Sequence, residues 1–441
     1  MSQNDESEVK AFLRKVIYFI STKNLINDPN PSKRRDIREV ISLLKQAPAQ
    51  LKNEKTDAAT NDILKTFVHL DNSLKEVTAL SSFKKDNEFA FHVLLSYAKI
   101  YRLLGASEKV GNVLHEAVQL SHKLKNVRYR AIIELKLGKY NFEKFEFAAS
   151  IKILSKAYQL FKSVDDMKGQ LKCLFGIAKA YHRSGDYLNA RKYYEDSLNI
   201  AKKISDKKRY ARIKNYLGVV CRITGECERS EQHFQCALQE FEDIGDLQGQ
   251  CDCINNLAII YLQRSNYQHA LSYLNKALQI SKTIDEFQLM VFINLNKALF
   301  YLEVGDPRNA SKYCTEALNI LTRFDCSLGL AKACSILGSI FGNYNQYKIA
   351  SRFFEESIRF YERFQIPLGA ANTCAEYAKM LIEYENMDEA ANYFQKAQQI
   401  YNDLKLSNQT KKIISFLDTP ENGCSEILET NNLSKHVFSS K

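Results

Sequence analysis

Apolar and small residues recur at helical spacing from about Asp86 to Leu404, and the pattern repeats every forty residues. Gly105, Gly185, Gly225 and Gly305 lie on one lattice of turn signals, with Phe145, Ser265, Asn345 and Glu385 on its remaining points. Eight units follow with no insertion between them. Seven positions before each point stands a small residue: Ala98, Gly138, Ala178, Gly218, Ala258, Ala298, Gly338 or Ala378. Twelve positions after it stands another: Ala117, Ala157, Ser197, Ala237, Ala277, Ala317, Ser357 or Ala397. Large residues sit beside both series, among them Tyr101, Tyr181, Tyr261, Leu114, Leu154, Tyr194, Phe234, Leu274 and Phe354. Small side chains at fixed places on two successive helices let the helices approach closely, so each unit is expected to be a helical hairpin and the fold all-α.

The ends fall off this lattice. Residues 1–85 are helical in pattern and are expected to cap the array, because an isolated repeat cannot bury both of its faces. The array itself spans 86–405, a last capping helix occupies 406–418, and the polar, unpatterned stretch 419–441 reads as disordered. The six prolines lie at 29, 31, 48, 307, 367 and 420, which leaves a long proline-free run suited to helices.

Composition narrows the functional classes. No apolar run approaches the ~20 residues of a membrane span, and the N-terminus MSQNDESEVK lacks the features of a secretory signal, so the cytosol or the nucleus is expected. The 11 cysteines form no C-x-x-C pair and mostly take interior repeat positions, which predicts free, buried thiols and no zinc. Phosphate-binding glycine loops, H-E-x-x-H and G-x-S-x-G are absent from the sequence, and no catalytic residue, cofactor or metal is implied. Net charge is +11. Residues 86–225 carry 27 lysines and arginines against 13 carboxylates, a net of +14 that leaves −3 for the rest of the chain. Such a concentration points to an acidic partner.

The order small, aromatic, turn, small, aromatic, small, in stretches such as GIAKAYHRSGDYLNARKYYEDSLNIA and NLAIIYLQRSNYQHALSYLNKALQIS, resembles the tetratricopeptide repeat. The unit length and the phrases VDDMKGQ and IGDLQGQ are similar to a forty-residue subclass known from the adaptor Pins/LGN and from rapsyn. That resemblance implies a right-handed α-solenoid superhelix, a concave wall lined by the first helix of each unit, and a peptide or partner helix held against it.

Taking positions thirteen, ten, six and three before each lattice point gives the expected lining. It includes Lys99, Arg102, Lys139, Lys172, Lys179, His182 with Arg183 adjoining, Arg212, Asn215 and Arg222. A basic row of this kind suits an acidic, extended protein segment. Asn215, Asn255 and Asn256 lie on or beside the stripe; their carboxamides suit either a bound backbone or hydrogen bonds between repeats. In the sixth unit Phe292 and Leu295 fall on the stripe while Lys297 takes a core position. Either the groove has an apolar anchor there or the helix is rotated inward. The first expectation for function is thus a non-enzymatic adaptor or scaffold. The alternative is an RNA-binding or other nucleic-acid-binding array using the basic segment 86–225 and the cluster Lys202, Lys203, Lys207, Lys208 and Arg209, although stacking motifs for bases are missing.

Overall fold

The computed structural model describes residues 87–103, 106–321 and 327–417; the expected N-terminal cap and C-terminal tail lie outside the described residues. Every regular element among the described residues is a helix. They begin with α1 (Asn87–Leu103), α2 (Ser107–Lys123), α3 (Val127–Glu143), α4 (Phe147–Lys162), α5 (Met167–Ser184) and α6 (Tyr187–Lys203). Next come α7 (Lys207–Ile223), α8 (Cys227–Asp243), α9 (Leu247–Gln263), α10 (Tyr267–Thr283), α11 (Phe287–Glu303) and α12 (Pro307–Leu321). The series ends with α13 (Ser327–Asn343), α14 (Tyr347–Arg363), α15 (Pro367–Glu383), α16 (Met387–Asp403) and α17 (Ser407–Leu417).

Turn chemistry sets these lengths. A residue with positive φ recurs every twenty positions, for example Lys125 (49°), Phe145 (63°), Gly185 (91°), Ser205 (54°), Gly225 (87°), Ser265 (55°) and Gly305 (74°). The left-handed residue stops one helix, and at several turns the next residue begins another by offering its side chain as a cap. Asp186, Asp206, Asp246, Asn266 and Asn386 each accept the backbone N–H three residues on. The lattice visible in the sequence is therefore twice the period of the turns, and only four of the described left-handed positions are glycine.

The chain forms two compact units, one ending at Cys173 and the other starting at Leu174, so the boundary falls within α5. In the first unit α1 packs on α2 and α3 on α4; in the second, hairpins α7–α8, α9–α10, α11–α12, α13–α14 and α15–α16 each pack on the next, and α17 closes against α16. The two small series meet inside the hairpins. All eight residues twelve positions after the lattice points are fully buried. Where the earlier position is glycine, the large residue of the partner helix lies directly over it. A Cβ on Gly218 would come within 2.6 Å of the Phe234 ring, and one on Gly338 within 2.7 Å of Phe354. Ser230 Oγ ties the same hairpin by donating to the Gly218 carbonyl at 2.7 Å.

Candidate functional site

The first unit brings a basic pocket together. Its volume is about 480 Å³, with Ile132, Leu135 and Phe161 among its apolar lining residues. Lys99 and Arg102 reach it from α1, Arg128, Lys136 and Lys139 from α3, and Lys168 and Lys172 from α5. Two carboxylates, Glu143 and Asp166, share the lining. Both are already engaged by arginine: Arg102 lies 3.5 Å from Glu143 and Arg128 3.1 Å from Asp166. The Lys136 ammonium is held below its ordinary range, first by burial and then by Arg102, Lys99 and Lys172. Seven cations against two carboxylates, over apolar walls, make a site that attracts anions.

Four expected lining residues, Lys99, Arg102, Lys139 and Lys172, come together here, and Lys136 joins them although the sequence stripe passed it by. Lys136 lies nine positions before its lattice point, where the stripe took ten. A turn of 3.6 residues counted from thirteen before lands nearer nine, so the half-buried series runs thirteen, nine and six before the point, with Asn296 and Ile336 at position nine fully buried. Position ten turns inward: Leu135, Asn215, Asn255 and Leu295 are all buried.

This shift corrects several expectations in the second unit. Leu295 is no groove anchor; it lies in the core with Val291, Ala298, Cys314 and Ile336, and Phe292 beside it is half-buried. Lys297 is buried too, donating to Asn275 Oδ1 at 2.8 Å with its ammonium 4.0 Å from the Tyr313 ring centroid. Asn215 and Asn255 are likewise inter-repeat ties. Asn256 donates to Asn215 Oδ1 at 3.0 Å, and Asn296 donates to Asn255 Oδ1 at 2.8 Å. Buried carboxamides bonded to one another hold successive units in register.

The remaining expected residues of the second unit are half-buried. Lys179 places its ammonium 5.8 Å from the Tyr216 ring centroid. The His182 imidazole is pushed down to about 3, first by burial and then by Arg183, Arg222 and Lys179, so it is neutral. Arg212 donates to Gln248 Oε1 at 3.5 Å, and Gln248 in turn donates to Glu286 Oε2 at 3.2 Å. Asp252, thirteen before its lattice point, is an acid that the basic reading left out; burial, opposed in part by Arg212, raises its carboxyl to about 7. In the basic cluster Lys208 lies 2.7 Å from Asp246, and Arg209 pairs with the capping carboxylate of Asp206 at 2.5 Å.

Among the described residues no group of three or more His, Cys, Asp or Glu is placed to hold a metal ion, and no helix is long and apolar enough to cross a membrane. The nine described cysteines are free, and burial pushes the thiols of Cys173, Cys251, Cys314 and Cys374 up to about 12, where they behave as small hydrophobes.

Comparison with known proteins agrees with this architecture. Residues 129–203 and 209–283 match the tetratricopeptide repeat family model. The TPR repeat-containing protein MJ1428 of Methanocaldococcus jannaschii is 24% identical over 209 residues, which cover 43% of this chain; the match spans about a third (36%) of that relative's length. Among solved structures, a Rap protein complexed with Competence and Sporulation Factor superposes with a TM-score of 0.62 at 14% identity, over 84% of this chain and 99% of that one. The Rap conjugation gene regulator of plasmid pLS20, in complex with the Phr* peptide, gives 0.53 at 16% identity, covering 81% and 97%. The apo quorum sensor NprR of B. thuringiensis gives 0.54 at 15%, covering 83% and 99%. At these identities the likeness establishes a shared helical-repeat fold.

Proposed function

We propose that this chain, which is a tetratricopeptide-repeat protein, acts as a non-enzymatic adaptor that holds an extended acidic segment of another protein in the basic pocket of its first unit. One observation carries the reading. Both carboxylates of the pocket are taken by arginines, while Lys99, Lys136, Lys139, Lys168 and Lys172 converge on the same cavity. A glutamate- or aspartate-rich strand would answer that charge, and its aliphatic carbons would cover Ile132 and Leu135. The peptide complex of the pLS20 Rap regulator shows that a helical-repeat fold of this kind accommodates a peptide. The second unit offers Lys179, Arg183 and Arg222 on the first helices of its own repeats.

Nucleic acid is the lesser reading. Within the cluster that favours it, Lys208 and Arg209 already pair with Asp246 and Asp206.

The test is capture of partners from a lysate by the full chain, followed by affinity for synthetic acidic segments of the captured protein. Charge reversal at Lys99, Lys136 and Lys172 is expected to weaken that affinity at least tenfold, about 1.4 kcal/mol. Undiminished binding by a folded triple variant sinks the proposal. Capture of RNA with a steep salt dependence would favour the alternative.

A further inference from the structure

The cations of the first-unit pocket are not alike in what they still have to give. Its two arginines, whose planar forks match a carboxylate, are already engaged, Arg102 with Glu143 and Arg128 with Asp166. The other cations of the lining are all lysines. Among the described residues Lys136, Lys168 and Lys172 make neither an ion pair nor a hydrogen bond, although all three line this one cavity. Lys168 is exposed, whereas Lys136 and Lys172 are half-buried in a space whose lining includes Ile132, Leu135 and Phe161. An ammonium drawn partly out of water with no acceptor raises the free energy of the empty pocket. The lowered affinity of Lys136 for its proton, through burial and the like charges around it, has the same origin.

The size of the cavity limits which anion answers this charge best. A volume of about 480 Å³ is roughly 10 Å across. Side chains on one face of an extended strand stand about 7 Å apart, so such a strand sets no more than two carboxylates in that space, each with a single charge. A phosphate monoester brings about −2 and three acceptor oxygens to one point. Its tetrahedral oxygens accept bonds from several directions, as ammonium groups arriving from α3 and α5 would give them.

We propose that the segment held in this pocket carries a phosphorylated serine or threonine, whose phosphate is bound among Lys136, Lys168 and Lys172. The inference rests on the acidic-segment reading of the same pocket and narrows its ligand. A free phosphate compound offers the same oxyanion. The apolar lining favours a chain as the carrier, because the residues flanking the phosphate cover Ile132 and Leu135, which inorganic phosphate leaves open.

Three labelled heptapeptides, acetylated and amidated, test this by fluorescence anisotropy against the full chain at neutral pH. The first has a central phosphoserine between two alanines, with a pair of glutamates at each end. The second is the same peptide without phosphate. The third has a central alanine between two runs of three glutamates, so its length and net charge equal those of the first. The first peptide is expected to bind at least tenfold more tightly than either other. Lys136→Met and Lys172→Met keep the aliphatic stem and should each remove most of that preference. Should either half-buried variant fail to fold, Lys168→Met, at an exposed position, decides in its place. Equal affinity for the first and third peptides overturns the proposal and leaves the acidic-segment reading standing, whereas binding of none of the three defeats both. Inorganic phosphate that competes as strongly as the phosphopeptide overturns it as well, since the ligand is then the oxyanion alone. Folded variants that keep the wild-type preference do the same.

Discussion

At the scale of single residues, burial decides more than residue type. Lysines and asparagines alike read as groove-lining from the sequence, because both are polar and both recur at fixed offsets. Lys99, Arg102, Lys139 and Lys172 do reach a common pocket, whereas Asn215 and Asn255 turn inward and bond across repeats. The difference is a rotation of about one residue around the helix, below what a three-or-four spacing rule resolves. Asp252 shows the electrostatic consequence of a half-buried place on that stripe. Its carboxyl rises from 3.8 to about 7, chiefly through burial, with Arg212 opposing and Glu286 and Asp246 reinforcing the shift. The folded state thus binds the proton more tightly than the unfolded chain does. Stability contributed by this group is complete below about pH 4 and declines as pH rises through about 7. Asp252→Asn should flatten that decline in a series of melting curves between pH 4.5 and 8, and above pH 7 the variant should be the more stable by on the order of 1–2 kcal/mol. Parallel curves for the two proteins would show that Asp252 ionises freely.

Elements were the most legible part of the sequence. Hairpin partners follow from the two small series, since a small residue on one helix marks where a large one of the next must lie. The rule has variants that test it. Gly218 pairs with Phe234, while the same two places in the next unit hold Ala258 and Leu274, all buried. Gly218→Ala places a Cβ 2.6 Å from a ring that is fully enclosed, so the helix-propensity gain of about 1 kcal/mol is outweighed by overpacking of about 1–3 kcal/mol. Denaturant unfolding should show a net loss of up to about 2 kcal/mol. Adding Phe234→Leu recreates the Ala–Leu pair of the neighbouring unit and should recover most of that loss. An additive double variant would mean the two side chains do not meet. Helix α11 was harder to read, because its apolar residues surround it and give no direction. There the decisive group is Lys297, whose bond to Asn275 and whose approach to Tyr313 let a lysine occupy an interior place. Nothing in a single sequence announces such a partner, which comes from the second helix of the preceding hairpin.

On the scale of a whole unit, neighbour-to-neighbour packing would leave a repeat array with no contacts between distant members. The second unit departs from that rule where Leu404 sits against Gly185 and where Asn408 reaches the Thr224 carbonyl. No periodicity predicts these contacts, since they depend on how curvature accumulates over many hairpins. They are few, and Leu404 is only half-buried, so the closure is held by a small free energy and is expected to open locally before the unit unfolds. Leu404→Ala combined with Asn408→Ala should lower global stability by no more than about 2 kcal/mol. Amide exchange at Gly185 to Tyr187 and at Thr224 to Glu226 should accelerate at least tenfold, while amides of the buried helix α9 keep their wild-type protection. Uniform acceleration across the unit would instead mean that the closure is part of its global fold, and unchanged exchange at both turns would mean that these contacts hold nothing in place.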